Sequence, residues 1–148
     1  MAFERLVVAV DFSPISKEVL RQGLALAEQL GAEVEVVHVI PRLKPTIPFS
    51  AESRRIVGRL QRESREEAQA RLERLVGAKR RRGVRLRVLA GEPHRAIVDH
   101  ARRRRAALIV LAACGHSRLE EVLMGSTAQR TVRTSPVPVL LVPPPAAS

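Results

Sequence analysis

The sequence contains no tryptophan and no tyrosine, and only three of its 148 residues are phenylalanine. Proteins that hold single-stranded nucleic acid usually stack the bases on aromatic rings, so this scarcity argues against such a protein. Cys114 is the one cysteine. It cannot form an internal disulfide, which indicates a reducing compartment.

Long hydrophobic runs are also lacking. No apolar stretch approaches the roughly 20 residues that a helix needs to cross a bilayer, and Glu4 and Arg5 follow the N-terminal residues at once. The sequence therefore predicts neither a membrane span nor a signal peptide, and we expect a cytoplasmic protein. The length fits one domain, which we place at residues 1–143, with a disordered tail at residues 144–148.

Charge is abundant and unbalanced. Lysine and arginine number 26 against 15 acidic residues, which gives a formal net charge of +11. Arginines cluster at residues 80–82 and 102–105, at the ends of predicted helices, where cations complement the helix dipole and lie in solvent. These positions explain the clusters without a nucleic-acid partner, which we do not expect.

Five apolar, mostly β-branched runs predict strands at residues 6–10, 34–40, 84–89, 107–112 and 137–142. Between them, apolar residues spaced three or four apart predict helices at residues 15–30, from 52 to about 82, after Pro93, and from near Gly125. In the longest helix the apolar stripe comprises Val57, Leu60, Ser64, Ala68, Leu72 and Leu75.

Strands that alternate with helices predict an α/β fold, a doubly wound five-stranded parallel sheet with helices on both faces. The first and fourth strands are continuously apolar and should be central, whereas the third alternates and should lie at an edge. We therefore expect the strand order 3-2-1-4-5. Ligands of such sheets bind where the winding direction reverses, here at the carboxyl ends of strands one and four.

Two glycines bracket the loop after the fourth strand. Gly115 begins it, and Gly125 precedes Ser126 and Thr127 at the start of a helix. A loop glycine allows backbone amides to approach a phosphate, and a helix N-terminus favours an anion. Alternatively, Gly115 marks a simple turn and Ser126 caps the helix. Asp11 has a similar ambiguity, since its carboxylate could cap the first helix or contact a ligand.

Other common site motifs are missing from the sequence. No lysine follows a glycine, so there is no Walker loop, and there is no GxGxxG. His38, His94, His100 and His116 have no metal-site spacing with one another or with Cys114, and we expect no structural metal. His38 reads as a core residue.

The segments VVAVDFS, GEPHRAI, ACGHSRLEEVLMGST and SPVPVLLV resemble the universal stress protein family over nearly the whole chain. The nucleotide-binding branch carries Gly-x2-Gly-x9-Gly-Ser/Thr. Here the last three members are Gly115, Gly125 and Ser126, while Ala112 stands at the first position. The resemblance implies the fold of the adenine nucleotide alpha hydrolases.

The resemblance also implies a ligand, ATP or its relatives AMP and ADP, with Mg²⁺ as the usual companion of the phosphates. It puts Asp11 against the adenosine and the backbone of Val39 at the adenine edge. It surrounds the ribose and phosphates with residues of the loop and the following helix, namely Gly115, His116, Gly125, Ser126 and Thr127.

Our first functional hypothesis is a nucleotide-binding regulatory module of the stress response. The first alternative is an ATP hydrolase, expected to be slow, in which Asp11 or His116 assists a metal-bound water. The second is a nucleotide-free dimer with an arginine-rich interaction surface. The predicted last strand, from Val137 to Val142, is apolar yet lies at a sheet edge, which requires a partner. We expect a homodimer through this strand, as the resemblance also implies.

Overall fold

The computed structural model describes residues 3–44, 50–79, 82–114 and 124–145. Along the chain the elements are β1 (Arg5–Ala9), α1 (Ser16–Leu30), β2 (Glu33–Ile40), α2 (Ala51–Val76), a 3₁₀ turn (Gly77–Lys79), β3 (Val84–Ala90), α3 (Pro93–Arg103), β4 (Leu108–Ala112), α4 (Ser126–Thr134) and β5 (Val139–Val142).

The strands form one sheet in the order β3-β2-β1-β4-β5, and every neighbouring pair is parallel. This confirms the predicted fold class and strand order. β1 lies in the middle, and its residues Val7 and Val8 are completely buried. β3 lies at an edge, as its alternation of apolar residues with arginines predicted, because its outer positions face solvent.

Helices cover both faces of the sheet. One core cluster lies between the sheet and helices α1 and α2, and it includes Val8, Leu20 and Leu72. The other lies against α3 and α4, and it includes Val7 and Ile97. Successive residues of β1 thus belong to opposite cores, as the period of two in a strand requires.

Helix α1 approaches β1 very closely. A Cβ added at Gly23 would lie 2.6 Å from a methyl carbon of Val8, a distance that real side chains do not tolerate. The side chain of Val8 is fully buried and stiff about χ1. Gly23 is therefore the residue that lets the helix pack at this distance from the sheet.

Helix α2 differs from its predicted extent and stripe. It ends at Val76, where Gly77 has a φ of +45° and donates its amide to the Glu73 carbonyl. Its buried residues are Ala68, Leu72 and Val76, whereas Leu60 is 44% exposed. Twenty-six residues span about 39 Å, but a seven-residue strand spans about 23 Å. The N-terminal half of α2 therefore extends beyond the sheet.

The last strand is shorter than predicted. β5 begins at Val139, and the two preceding residues form its lead-in. Ser135 holds this segment, since its hydroxyl donates to the Val137 carbonyl at 2.7 Å and accepts from the Val137 amide at 3.0 Å. Pro138 has no N–H, and its carbonyl accepts from Ile109 at 2.9 Å.

The arginines at the end of α3 differ from the prediction in one respect. The side chain of Arg104 is 35% exposed and pairs with Glu35 of β2, so it lies against the sheet and is only partly in solvent. Residues 80 and 81 of the other cluster, and residues 146–148 of the predicted tail, lie outside the described part. Within the described ranges, no helix is both long and apolar enough to span a membrane.

Candidate functional site

A cavity of about 420 Å³ lies at the carboxyl edge of the sheet. Its walls come from the ends of β1, β2 and β4 and from the N-terminal turns of α1, α3 and α4. The apolar walls include Val37, Val39, Ile97 and Leu111. The cavity lies where the sheet reverses its winding, and its size is typical of small-molecule sites.

The N-terminus of α4 forms one end of the cavity. Gly125 is the N-cap residue, and no described side chain caps this end of the helix. The helical hydrogen bonds of this turn begin with that from the Gln129 amide to the Gly125 carbonyl, at 2.9 Å. The amides of Ser126, Thr127 and Ala128 precede it and lack helical acceptors, and all three residues line the cavity. This end of the cavity favours an anion.

The carboxylate of Asp11 lines the cavity at the end of β1. Its Oδ1 accepts from the Ser13 amide at 2.9 Å and from the Ser16 hydroxyl at 3.2 Å. The N-cap residue of α1 is Ile15, without a side-chain cap, and these two bonds of Asp11 brace the loop and the first residue of the helix. A braced, exposed carboxylate suits a hydroxyl-bearing ligand.

Val39 lies near the end of β2 and lines the same cavity. The Val37 carbonyl accepts from the Val10 amide at 2.9 Å, so the polar backbone groups of Val37 face β1. The backbone N–H and C=O groups of successive strand residues point to opposite sides, so those of Val39, two residues after Val37, also face the side of β1. They lie beyond the Ala9–Val37 pair that ends the β1–β2 register. The backbone of Val39 is thus directed toward the cavity.

His38 also lines the cavity, although the sequence indicated a core residue. Its Nδ1 donates to the Val10 carbonyl at 2.8 Å, and its ring lies 4.2 Å from the ring of Phe12. Burial lowers the pKa of His38 below its usual value, Arg71 reinforces this effect, and the Val10 carbonyl and Asp11 oppose it. The neutral ring with a protonated Nδ1 leaves Nε2 as an acceptor. The position of His38 near the carboxyl end of a predicted strand was the sequence feature that could have identified it as a cavity residue.

Ala112 ends β4 and pairs with Val142 of β5. Among described non-glycine residues only Phe12 and Arg105 have a positive φ, so Ala112 has ordinary strand backbone that a methyl group does not strain. The structure brings Asp11, Val39, Ala112, Gly125, Ser126 and Thr127 to one cavity. Gly115 and His116 lie outside the described residues.

An ion pair joins the two helices that frame the cavity. Glu92, the N-cap residue of α3, accepts from Arg130 of α4 at 2.9 Å, and His94 approaches the same oxygen at 3.0 Å. Pro93 and Ile97 of α3, which the sequence did not single out, line the cavity. Among the residues that the structure describes, no group of three or more His, Cys, Asp or Glu could hold a metal ion.

Comparison with known proteins agrees with this architecture. The model of the universal stress protein family matches residues 2–143. Universal stress protein MJ0531 of Methanocaldococcus jannaschii is 30% identical over 147 residues, which cover 97% of this chain and 84% of that protein.

Solved structures show the same fold. The structure of hypothetical protein MJ0577 superimposes with a TM-score of 0.82 at 23% identity, with 99% of this chain and all of that one covered. The universal stress protein from Archaeoglobus fulgidus in complex with dAMP is 26% identical, with a TM-score of 0.56 and coverage of 95% and 98%. The family match over residues 2–143 and the 30% identical relative together show that the chain belongs to the universal stress protein family.

Proposed function

We propose that this protein binds an adenine nucleotide (AMP, ADP or ATP) in the cavity at the ends of β1 and β4, and that occupancy regulates a stress response. The observation that carries the proposal is the N-terminus of α4, which no described side chain caps, at the wall of an apolar cavity of about 420 Å³. Free amides and the helix dipole favour phosphate there, while the apolar walls suit a base.

The residues of the cavity fit the parts of such a ligand. The backbone of Val39 and the Nε2 of His38 offer polar groups to the base, and the carboxylate of Asp11 offers acceptors to ribose hydroxyls. The amides and hydroxyls of Ser126 and Thr127 meet the phosphates. Gly115 and His116 contribute at the same end, as the family resemblance implies. The dAMP complex of the Archaeoglobus fulgidus protein supports a ligand of this class.

Mg²⁺ in this proposal is held by the phosphates. Asp11 is the one carboxylate among the described lining residues, and Mg²⁺ typically binds through one or two carboxylates together with phosphate oxygens and water. The protein therefore offers little of its own to the ion, and AMP should bind without it.

The first test is mass spectrometry of the small molecules released when freshly purified protein is denatured. Calorimetric titration of the stripped protein with AMP and with Mg-ATP follows. We expect co-purified adenine nucleotide, or saturable binding at micromolar concentration. Absence of both would overturn the proposal. Phosphate release faster than about one per minute would instead favour a hydrolase that activates water.

The proposal includes a homodimer formed through β5. This strand lies at the edge of the sheet, and no other described strand pairs with its outer side. Leu140 is 38% exposed, and Val132 on the adjacent α4 is 45% exposed. A second copy related by a two-fold axis would pair the strands and cover these side chains.

Sedimentation velocity tests the dimer. At micromolar concentration the wild-type protein should sediment with the mass of two chains. Leu140→Arg should shift it toward one chain, because two like charges would then oppose each other across the axis. Leu60→Arg on α2 is the matched control and should stay dimeric. A wild-type mass of one chain would contradict the dimer.

We place this function in the cytoplasm, which the unpaired Cys114 supports.

A further inference from the structure

A second cavity, of about 330 Å³, lies between the start of α1 and the last turns of α2. Three cations line it: Lys17 from α1, and Arg71 and Arg74 from α2. No carboxylate belongs to its described lining. It is separate from the nucleotide cavity but touches it at Ser16, which lines both. We call it the basic pocket.

One of its cations is held in place. The guanidinium carbon of Arg71 lies 4.2 Å from the centroid of the Phe12 ring, a cation–π contact. Phe12 has a φ of +62°, a backbone conformation that side-chain-bearing residues rarely adopt. The loop after β1 thus accepts strain in the conformation that places this ring beside Arg71.

The charge of Lys17 does not stabilise the helix in which it lies. It lies in the first turn of α1, where the positive end of the helix dipole disfavours a cation. No ion pair of Lys17, Arg71 or Arg74 with a described carboxylate falls within 4.0 Å. Three like charges from two helices therefore converge on one cavity, and none of them has a carboxylate partner among the described residues.

Ser13 supplies an independent observation. It lines the basic pocket, is only 4% exposed, and its hydroxyl has no hydrogen-bond partner among the described residues. Buried hydroxyls without a partner are rare in native proteins and often mark a missing ligand or water. The start of α1 adds to this, since its N-cap residue Ile15 provides no side-chain cap.

We propose that the basic pocket is a second anion site, which binds a phosphate-bearing small molecule through Lys17, Arg71 and Arg74. Inorganic phosphate is the minimal form of this ligand. The guanidinium groups match phosphate oxygens in geometry and charge, and Lys17 adds a point charge from the opposite helix. The inference does not depend on nucleotide binding in the larger cavity.

The test is a titration of the full chain with inorganic phosphate, followed by ¹H–¹⁵N NMR. Binding in the basic pocket should shift the amides of Phe12, Ser13 and Lys17 and the Nε resonances of Arg71 and Arg74, and the shifts should saturate. Shifts confined to Ser126 and Thr127 would assign phosphate to the nucleotide cavity alone and overturn the proposal, as would unsaturable shifts spread over the surface.

Variants separate the pocket from the general charge of the protein. The double variant Lys17→Gln with Arg74→Gln should lower the affinity for phosphate in the basic pocket about tenfold, since two partly exposed charged contacts are lost. Arg55→Gln with Arg103→Gln removes the same two charges from exposed positions elsewhere and should change affinity less than about twofold. Equal weakening by both pairs would overturn the proposal.

Stability is monitored by thermal unfolding. Lys17 and Arg74 do not make the cation–π contact with Phe12 that Arg71 makes. The double variant at Lys17 and Arg74 and the control double variant at Arg55 and Arg103 should therefore keep the wild-type melting temperature within a few degrees. If the pocket pair unfolds, Lys17→Gln alone serves, because Lys17 is exposed and the helix dipole disfavours its charge. Phosphate binding to Gly125→Val should persist in the basic pocket, whatever that variant does to nucleotide.

Discussion

Glu35→Ala is expected to lower the free energy of unfolding by about 3 kcal/mol, the low end of the range for removing one partner of a buried ion pair. Glu35 is only 1% exposed in the middle of β2. The Nε2 of His100 lies 2.6 Å from its Oε2, and Arg104 donates to its Oε1 at 2.7 and 2.8 Å. The alanine variant would leave His100 and Arg104 facing a cavity without an acceptor.

The matched control is Glu33→Ala. Glu33 lies two residues earlier on the same face of β2, but its side chain is 44% exposed and pairs with Arg5 at 3.2 Å. An exposed pair contributes at most about 1 kcal/mol, so this variant should be nearly neutral. Urea unfolding at pH 7 measures both variants. Equal losses for the two would show that the buried cluster has no special role.

The same carboxylate predicts a pH dependence. Burial alone would raise the pKa of Glu35, but the hydrogen bonds and charges of Arg104 and His100 outweigh it, and the pKa lies below its usual range. A lowered pKa in the folded state means that the unfolded state binds the proton more tightly. The stabilisation from Glu35 is therefore present above the unfolded pKa and is lost as the pH falls through the folded pKa.

Comparison of the wild type with Glu35→Gln isolates this dependence. The stability difference between them should be constant at neutral pH and should shrink as the pH falls below 4.5, the ordinary value for the group. Urea unfolding between pH 7 and pH 3 measures it. A difference that stays constant over this whole range would contradict the lowered pKa.

Gly125→Val is expected to weaken nucleotide binding about 100-fold or more while the fold persists. A 100-fold loss of affinity corresponds to ~2.7 kcal/mol, the cost of losing several phosphate contacts. Gly125 has a φ of −72° and a ψ of 163°, which valine adopts without strain. Its amide donates to the Ala113 carbonyl at 2.6 Å, which fixes the residue at the cavity wall. Two added methyl groups would occupy the space before the α4 amides.

Gly58→Val is the matched control. Gly58 lies in the N-terminal half of α2, and among the described atoms an added Cβ there would meet the guanidinium of Arg62 at 3.5 Å. Calorimetry with AMP should give wild-type affinity for this variant, and circular dichroism should show both variants folded. Wild-type affinity of Gly125→Val would place the phosphates elsewhere. Loss of its helical signal would show that the glycine serves the fold and not the ligand.

The candidate site was largely predictable because its residues lie at the ends of strands and the starts of helices. Asp11 and Gly125 lie directly after or before elements whose periodicity is clear in the sequence. Parallel strands place their carboxyl ends at one edge, so the order of elements alone brought these residues together. His38 was misassigned because periodicity gives the face of a strand residue but not how far the neighbouring strand extends past it.

The sequence by itself determined the element order, the parallel sheet and the edge at which the candidate site lies, because these follow from short-range periodicity and general rules of strand connection. Only the tertiary structure decided the roles of Glu35 and Leu60. Glutamates are mostly exposed in proteins, but Glu35 is buried and is bonded by groups 65 and 69 residues further along the chain. Leu60 reads as core, and it lies outside because α2 is longer than the sheet. Burial depends on what packs across an element, and that information is not local.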